Sequence, residues 1–258
     1  MSDITLIINR GGPSEVTGTE ETFIIPESKG MAVLDAVLYV QAHDAPDLAV
    51  RWNCKAGKCG SCSAEINGYP RLLCKTRVDT LPKGEPISVQ PMQTFTRIKD
   101  LVTDVSWNYE INRQLPPFKP QDDREWKWSQ RDIVRAQEMR KCIECFLCQD
   151  VCHVLRYQRT NKPQYAGPRL FVRAAGLDYH PMDNVDRLAY LRDEAGIELC
   201  NVTRCCTDVC PEDIQITDNA IIPAKERLVD EYADPLKSLW RRLFRRGSTG
   251  QDHESPTA

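Results

Sequence analysis

The sequence predicts an α+β chain of two domains: a small mixed sheet carrying one helix, then a helical domain. Three observations carry this. Short β-branched runs recur between residues 4 and 89, interrupted by one stretch of helical period. From residue 129 onward the apolar spacing is helical, with capping signals at its starts. The chain is 258 residues long, enough for two ordinary domains, and its twelve cysteines fall into two groups, one in each half.

In the first half, residues 4–8 (Ile-Thr-Leu-Ile-Ile) and 22–25 (Thr-Phe-Ile-Ile) read as two strands joined by a polar Gly-Pro-Ser loop. The period then changes. Val33, Val37 and Val40 form one stripe, flanked by Leu34 and Leu38, which predicts a helix over 31–42. Next come Cys54, Cys59 and Cys62, with Cys74 twelve residues later. The spacing C-x4-C-x2-C with a distant fourth cysteine is the plant-type [2Fe–2S] pattern. Gly57 and Gly60 lie inside this loop. They permit the φ values that turn backbone N–H groups toward cluster sulfurs. Residues 63–66, 71–73 and 87–89 read as further short strands of the sheet that holds the loop.

Ile98, Leu101, Val102 and Val105 predict a helix over 96–107, and the domain boundary is expected near 108. The run Leu115-Pro-Pro-Phe-Lys-Pro120 then breaks the pattern. It is either an ordered excursion within the second domain or a partner contact. The division is therefore 1–108, 109–238 and a tail over 239–258.

The second domain opens with Ser129, followed three residues later by Asp132, a capping start for a helix over 130–140. Gly167-Pro168 opens a second helix ending near Gly176. Asn184 opens a third, with Val185, Leu188 and Leu191 on one face, and residues 221–232 form a fourth.

Two cysteine runs sit in the loops between these helices. The first, Cys142, Cys145, Cys148 and Cys152, is the bacterial-ferredoxin run C-x2-C-x2-C-x3-C. The second, Cys200, Thr203, Cys206 and Cys210, is the same run with Thr203 replacing the second cysteine, and Pro211 follows it. In two-cluster ferredoxins the fourth cysteine of each run ligates the other run's cluster. Cys142, Cys145, Cys148 and Cys210 then complete a [4Fe–4S] centre. Cys152, Cys200 and Cys206 hold a centre with an open corner at Thr203, a poor ligand for soft metals, which predicts [3Fe–4S]. Cys205 supplies a fourth thiolate and a second [4Fe–4S] if the loop bends differently; its plain reading is a small buried residue. Zinc is the competing metal, but its sites do not usually use this spacing. A disulfide scaffold belongs to short secreted chains.

A net charge of −3 and a pI near 5.9 give no nucleic-acid signature. Residues 1–20 lack the basic and apolar regions of a signal peptide, and no run is long enough to span a membrane. Reduced, clustered thiols fit a cytoplasmic location. The segment 239–246 (Leu-Trp-Arg-Arg-Leu-Phe-Arg-Arg) fits either an anionic membrane surface or a packed helix end. Residues 247–258 are small and polar, the composition of a disordered tail.

The order of motifs resembles the iron–sulfur subunit of succinate dehydrogenase and fumarate reductase, over about residues 3–235. The resemblance implies a plant-type ferredoxin-like β-grasp domain followed by an all-α domain resembling a two-cluster ferredoxin. It implies single-electron relay between the FAD of a flavoprotein partner, which holds the dicarboxylate site, and a membrane quinone at integral anchor subunits. The chain would then sit peripherally on the cytoplasmic face of the membrane and carry no catalytic acid, base or nucleophile. Near the third centre the chain departs from ubiquinone-type members. His153 stands where they have proline, Arg156 and Tyr157 stand near their tryptophans, and Asn201 stands where histidine is common. These four residues are the quinone-proximal candidates, and their pattern suggests a menaquinone-using or atypical enzyme. Other readings are another flavin-linked respiratory complex, a free-standing multi-cluster ferredoxin, or a zinc-binding structural protein. The absence of cysteines after Cys210 speaks against a thiol-dependent fumarate reductase.

Overall fold

A computed structural model of the chain describes residues 3–13, 17–120, 127–157 and 164–232. Strands β1 (Asp3–Arg10) and β2 (Thr19–Pro26) pair antiparallel, and their alternation sends Leu6, Ile8 and Ile25 into the core. Helix α1 (Val33–His43) buries Val33, Leu34, Ala36, Val37 and Val40 in the same cluster. The Asp35 carboxylate accepts the Ala32 N–H at 3.1 Å and secures its first turn. Strands β3 (Ser63–Ile66), β4 (Tyr69–Leu72) and β5 (Ile87–Gln90) complete a five-stranded sheet of order β2-β1-β5-β3-β4. Only the β1–β5 pairing is parallel. This is the expected β-grasp. The expected strand at 71–73 begins at Tyr69, because Asn67-Gly68, both at positive φ, makes a two-residue hairpin turn.

The expected helix over 96–107 is absent. That stretch is a hairpin of β6 (Thr96–Lys99) and β7 (Val102–Asp104), followed by α2 (Ser106–Gln114). Asp100 turns the hairpin at a φ of 46°. Its buried carboxylate accepts the N–H groups of Gly11 at 3.1 Å and Ala49 at 2.8 Å. A side chain that satisfies distant backbone donors in a turn removes the advantage of a helix at that point. Residue 108, the expected boundary, lies within α2.

The proline stretch is an ordered excursion. Arg187, fully buried, donates to the carbonyls of Pro116 at 2.9 Å and Pro117 at 3.2 Å, and pairs with Asp178 and Asp183. Asn184 N–H donates to the Lys119 carbonyl at 3.0 Å.

In the helical domain, α3 (Gln130–Arg140) starts as expected, with Ser129 Oγ accepting Asp132 N–H at 3.2 Å. After it come the short α4 (Leu147–Asp150) and α5 (His153–Tyr157), then α6 (Pro168–Asp178). α6 runs past Gly176. That glycine admits α3 instead of ending the helix: a Cβ there would lie 3.1 Å from Met139 Cβ. α7 (Leu188–Asp193) begins later than Asn184, with the Asp186 carboxylate accepting Leu188 N–H at 2.9 Å. α8 (Cys205–Asp208), a π-helical turn (Ile216–Ile221) and α9 (Ile222–Tyr232) follow. One apolar cluster runs from Leu6 on β1 to Leu228 on α9, so both halves share a core. No helix among the described residues is long and apolar enough to cross a membrane. The segments 239–246 and 247–258 lie outside the described residues.

Candidate metal centres

The first group of cysteines occupies a surface loop. Cys54 is exposed, Cys59 and Cys74 are half-buried and Cys62 is buried. Lys55, Gly57 and Gly60 all take positive φ. This coiling aims the N–H groups of Ala56 and Lys58 at Cys54 Sγ, at 3.3 and 3.4 Å. Burial pushes the Cys59 thiol up, but hydrogen bonds from Ser61 and Cys54 outweigh it and bring it to about 6. Burial, with Cys74 and Cys59 close by, drives Cys62 up to about 12. Trp52 is exposed beside this loop, with Lys55 Nζ 5.0 Å from its ring centre.

The second group repeats itself. Glu144 and Phe146 in the first run, and Val202 and Arg204 in the second, all have positive φ at matching positions. A β-branched residue such as Val202 adopts this conformation only where its surroundings demand it. Each run then enters a four-residue helix, α4 or α8, and the two helices pack against each other. By this repeat Thr203 stands where Cys145 stands. Cys205 stands where Leu147 stands, and Leu147 is a core residue.

Cys142, Cys145 and Cys148 line one cavity, and Cys210 of the other run lines it with them. Ile143, Phe146, Val172, Ile214 and Ile216 make most of its remaining wall. Burial, then the neighbouring thiols, drive Cys145 up to about 12 and also push Cys148 well above the ordinary thiol value. Cys152 of the first run lies instead with Cys200, Cys205 and Cys206. Burial, then those neighbours, hold Cys206 up at about 12. Thr203 Oγ1 contacts Cys205 Sγ at 3.2 Å. Among the described residues no three His, Cys, Asp or Glu side chains close on a single ion position. A tetrahedral zinc site would bring its sulfurs to about 3.8 Å from one another. Cys142, Cys145, Cys148 and Cys210 surround a volume instead. Buried sulfurs whose negative charges would repel one another suit a bound core carrying positive iron.

Several site residues gave no signal in the sequence. Tyr165 is buried, with its hydroxyl 4.0 Å from Cys152 Sγ. Burial, and then Cys152 and Cys200, hold its phenol protonated. Thr217 Oγ1 lies 3.4 Å from Cys206 Sγ. Buried Gln149 donates to Asn108 Oδ1 at 2.9 Å and to the Ala166 carbonyl at 3.1 Å, tying the first run to α2 and the Tyr165 segment. Of the quinone-proximal candidates, His153, Tyr157 and Asn201 are exposed, and the rings of His153 and Tyr157 stack with centres 5.8 Å apart. Arg156 pairs with buried Glu65 of β3 at 2.7 Å, its guanidinium 5.9 Å from the Tyr157 ring centre.

The two halves meet at the cysteine loops. Ser63 Oγ bridges the carbonyls of Gly60 at 3.0 Å and Cys145 at 2.8 Å. Lys58 pairs with Glu212 at 3.0 Å, and Lys75 donates to the Pro211 carbonyl at 2.9 Å. The first cysteine loop therefore rests directly on both dicluster runs.

Residues 5–110 match the 2Fe-2S iron-sulfur cluster binding domain, and residues 138–214 match the 4Fe-4S dicluster domain. The fumarate reductase iron-sulfur subunit of Mycobacterium tuberculosis is 30% identical over 227 residues, covering 83% of this chain and 88% of that one. The chain belongs to the iron–sulfur subunits of succinate dehydrogenase and fumarate reductase. The succinate dehydrogenase iron-sulfur subunit of Bacillus subtilis is 28% identical over the same shares of both chains. The solved Mycobacterium smegmatis Sdh1 complex contains a chain 53% identical at a TM-score of 0.87, covering 91% of this chain and 98% of that one. As a member of this family the chain is the electron-transfer subunit of an oxidoreductase complex, with a [2Fe–2S] domain and a [4Fe–4S] dicluster domain.

Proposed function

We propose that the chain passes single electrons between the FAD of a flavoprotein partner and a membrane quinone through three iron–sulfur centres. Cys54, Cys59, Cys62 and Cys74 hold [2Fe–2S]. Cys142, Cys145, Cys148 and Cys210 hold [4Fe–4S]. Cys152, Cys200 and Cys206 hold [3Fe–4S], with Thr203 at the open corner and Cys205, half-buried beside it, left outside the ligand set. Bound, the clusters supply reversible one-electron chemistry. The protein fixes their spacing and tunes them by burial and hydrogen bonds.

One observation carries this assignment: Cys210 lines the cavity of the first run while Cys152 lies with Cys200 and Cys206. The exposed Cys54 loop, with Trp52 beside it, faces the flavoprotein. Exposed His153, Tyr157 and Asn201 flank the third centre on the side of the membrane anchor and quinone. Residues 1–108 form the first electron-carrying domain and 109–238 the second. The complex holds the chain peripherally at the cytoplasmic face of the membrane.

The test is EPR spectroscopy of the air-oxidised complex, with iron counted on the isolated subunit or corrected for the partners. Oxidised [3Fe–4S] is paramagnetic, whereas oxidised [2Fe–2S] and [4Fe–4S] are silent. The expected result is a signal before reduction and about nine irons per chain. A silent sample with about ten irons would make Cys205 a ligand and overturn the three-iron assignment.

A further inference from the structure

We propose that the hydroxyls of Thr217 and Tyr165 donate hydrogen bonds to cysteine sulfurs of the third centre and raise its reduction potential. This rests on the assignment of Cys152, Cys200 and Cys206 to that centre.

Thr217 is buried in the π-helical turn between α8 and α9. Its N–H donates to Thr207 Oγ1 at 3.0 Å, and the Thr207 hydroxyl donates back to Thr217 Oγ1 at 3.1 Å. A hydroxyl has one proton and two lone pairs. Thr207 gives its proton to Thr217, so the Thr217 proton is left to point elsewhere. The sulfur 3.4 Å away, Cys206 Sγ, is its acceptor. A metal-bound thiolate has no proton of its own, so the bond runs only from the hydroxyl to the sulfur.

Tyr165 approaches from the opposite side of the sequence. Its hydroxyl lies 4.0 Å from Cys152 Sγ, at the outer reach of a sulfur hydrogen bond in which the free Cys152 thiol is the donor; once that proton is lost to a metal, only the Tyr165 hydroxyl can donate. Cys200 is also close to it. The backbone holding this ring is clamped. Ala166 N–H donates to the Ala195 carbonyl at 3.0 Å, and Gly196 packs where a Cβ would lie 1.8 Å from the Gln164 carbonyl oxygen. The tyrosine ring itself packs against Phe171, with centres 5.6 Å apart.

The cavity of the four-cysteine centre differs: its wall, apart from the cysteines, is mainly apolar, and the charged groups on it are Arg169 and Glu212. Hydroxyl donors thus gather at the third centre. Reduction adds negative charge to the metal–sulfur unit, and a donor to a ligand sulfur favours the form with more charge. The two hydroxyls therefore make the third centre easier to reduce.

The experiment is a redox titration of the intact complex followed by EPR, on wild type, Thr217→Val, Tyr165→Phe and Thr217→Ser. The valine and phenylalanine variants should lower the midpoint potential of the third centre and leave the other two unmoved. The serine variant keeps the hydroxyl and should restore the wild-type midpoint. Unchanged midpoints at full iron content overturn the proposal. If a variant fails to assemble, the wild type decides: pulsed EPR in H2O against D2O should show an exchangeable proton coupled to the third centre. Its absence overturns the proposal as well. A centre that is silent when oxidised would refute the three-iron assignment instead, and the same midpoint comparison, made on the reduced signal, would still judge the hydroxyls.

Discussion

Asp150 is the residue whose charge fits its surroundings least. It is fully buried, lies between Cys148 and Cys152 in sequence, and accepts the Thr94 N–H at 3.0 Å. Burial, then the nearby Glu65 carboxylate, raises it from 3.8 to about 7, and Arg156 offsets only part of this. The folded chain therefore keeps a proton that the unfolded chain has released between those two values. Stability should fall as pH rises through that interval and level off above about 7. Thermal melts of the intact complex between about pH 5 and pH 8 should show this fall ending near pH 7, and Asp150→Asn should flatten it. A melting temperature that rises over the same range would mean that the carboxylate is ionised throughout. The gathering of Cys142, Cys145 and Cys148 with Cys210 was legible at this scale, because cysteine spacing is written in local sequence. Asp150, Tyr165 and Thr217 were not. Their partners come from Glu65, Cys152 and Cys206, which the fold brings together and the sequence keeps apart.

At the scale of elements, capping chemistry and strict periodicity predicted well. The Ser129 start and the Val33, Val37, Val40 stripe both appear in the structure. The failures have a common cause: a residue whose role is tertiary was read as local. Gly176 looked like a helix end but makes room for Met139. Ile98, Leu101, Val102 and Val105 looked helical, but Asp100 breaks the run into a hairpin to reach Gly11, Ala49 and Arg10. Asp100→Ala should therefore act far beyond its own hairpin. It strands two backbone donors and removes one partner of Arg10, a loss of about 3 kcal/mol. The first domain should melt earlier, read from the loss of [2Fe–2S] absorbance on heating. An unchanged melt would mean that water replaces the carboxylate at both N–H groups.

At the scale of the whole molecule, the two cysteine groups are parts of one body. Their domains share a core, and the exposed Lys58–Glu212 pair adds little to the join, since surface ion pairs are worth about 0–1 kcal/mol. The close contact is Gly60. A Cβ there would lie 2.8 Å from Cys145 Cα and 2.8 Å from the Ile143 carbonyl oxygen, both backbone atoms of the first dicluster run. Gly60→Ala must therefore push the [2Fe–2S] loop and that run apart. The substitution also suffers at its φ of +67°, a strain of about 1–2 kcal/mol that must be separated from the clash. Gly68 provides the control. Its φ is +73°, but nothing lies within 4 Å of a Cβ added there. Gly68→Ala should cost stability by a similar strain and leave the magnetic coupling between the first two reduced centres unchanged. Gly60→Ala should weaken that coupling, measured by power saturation of the [2Fe–2S] EPR signal, and slow electron passage between the two centres. If the two variants behave alike, the contact at Gly60 does not set the distance between the centres, and the shared core alone holds them in line.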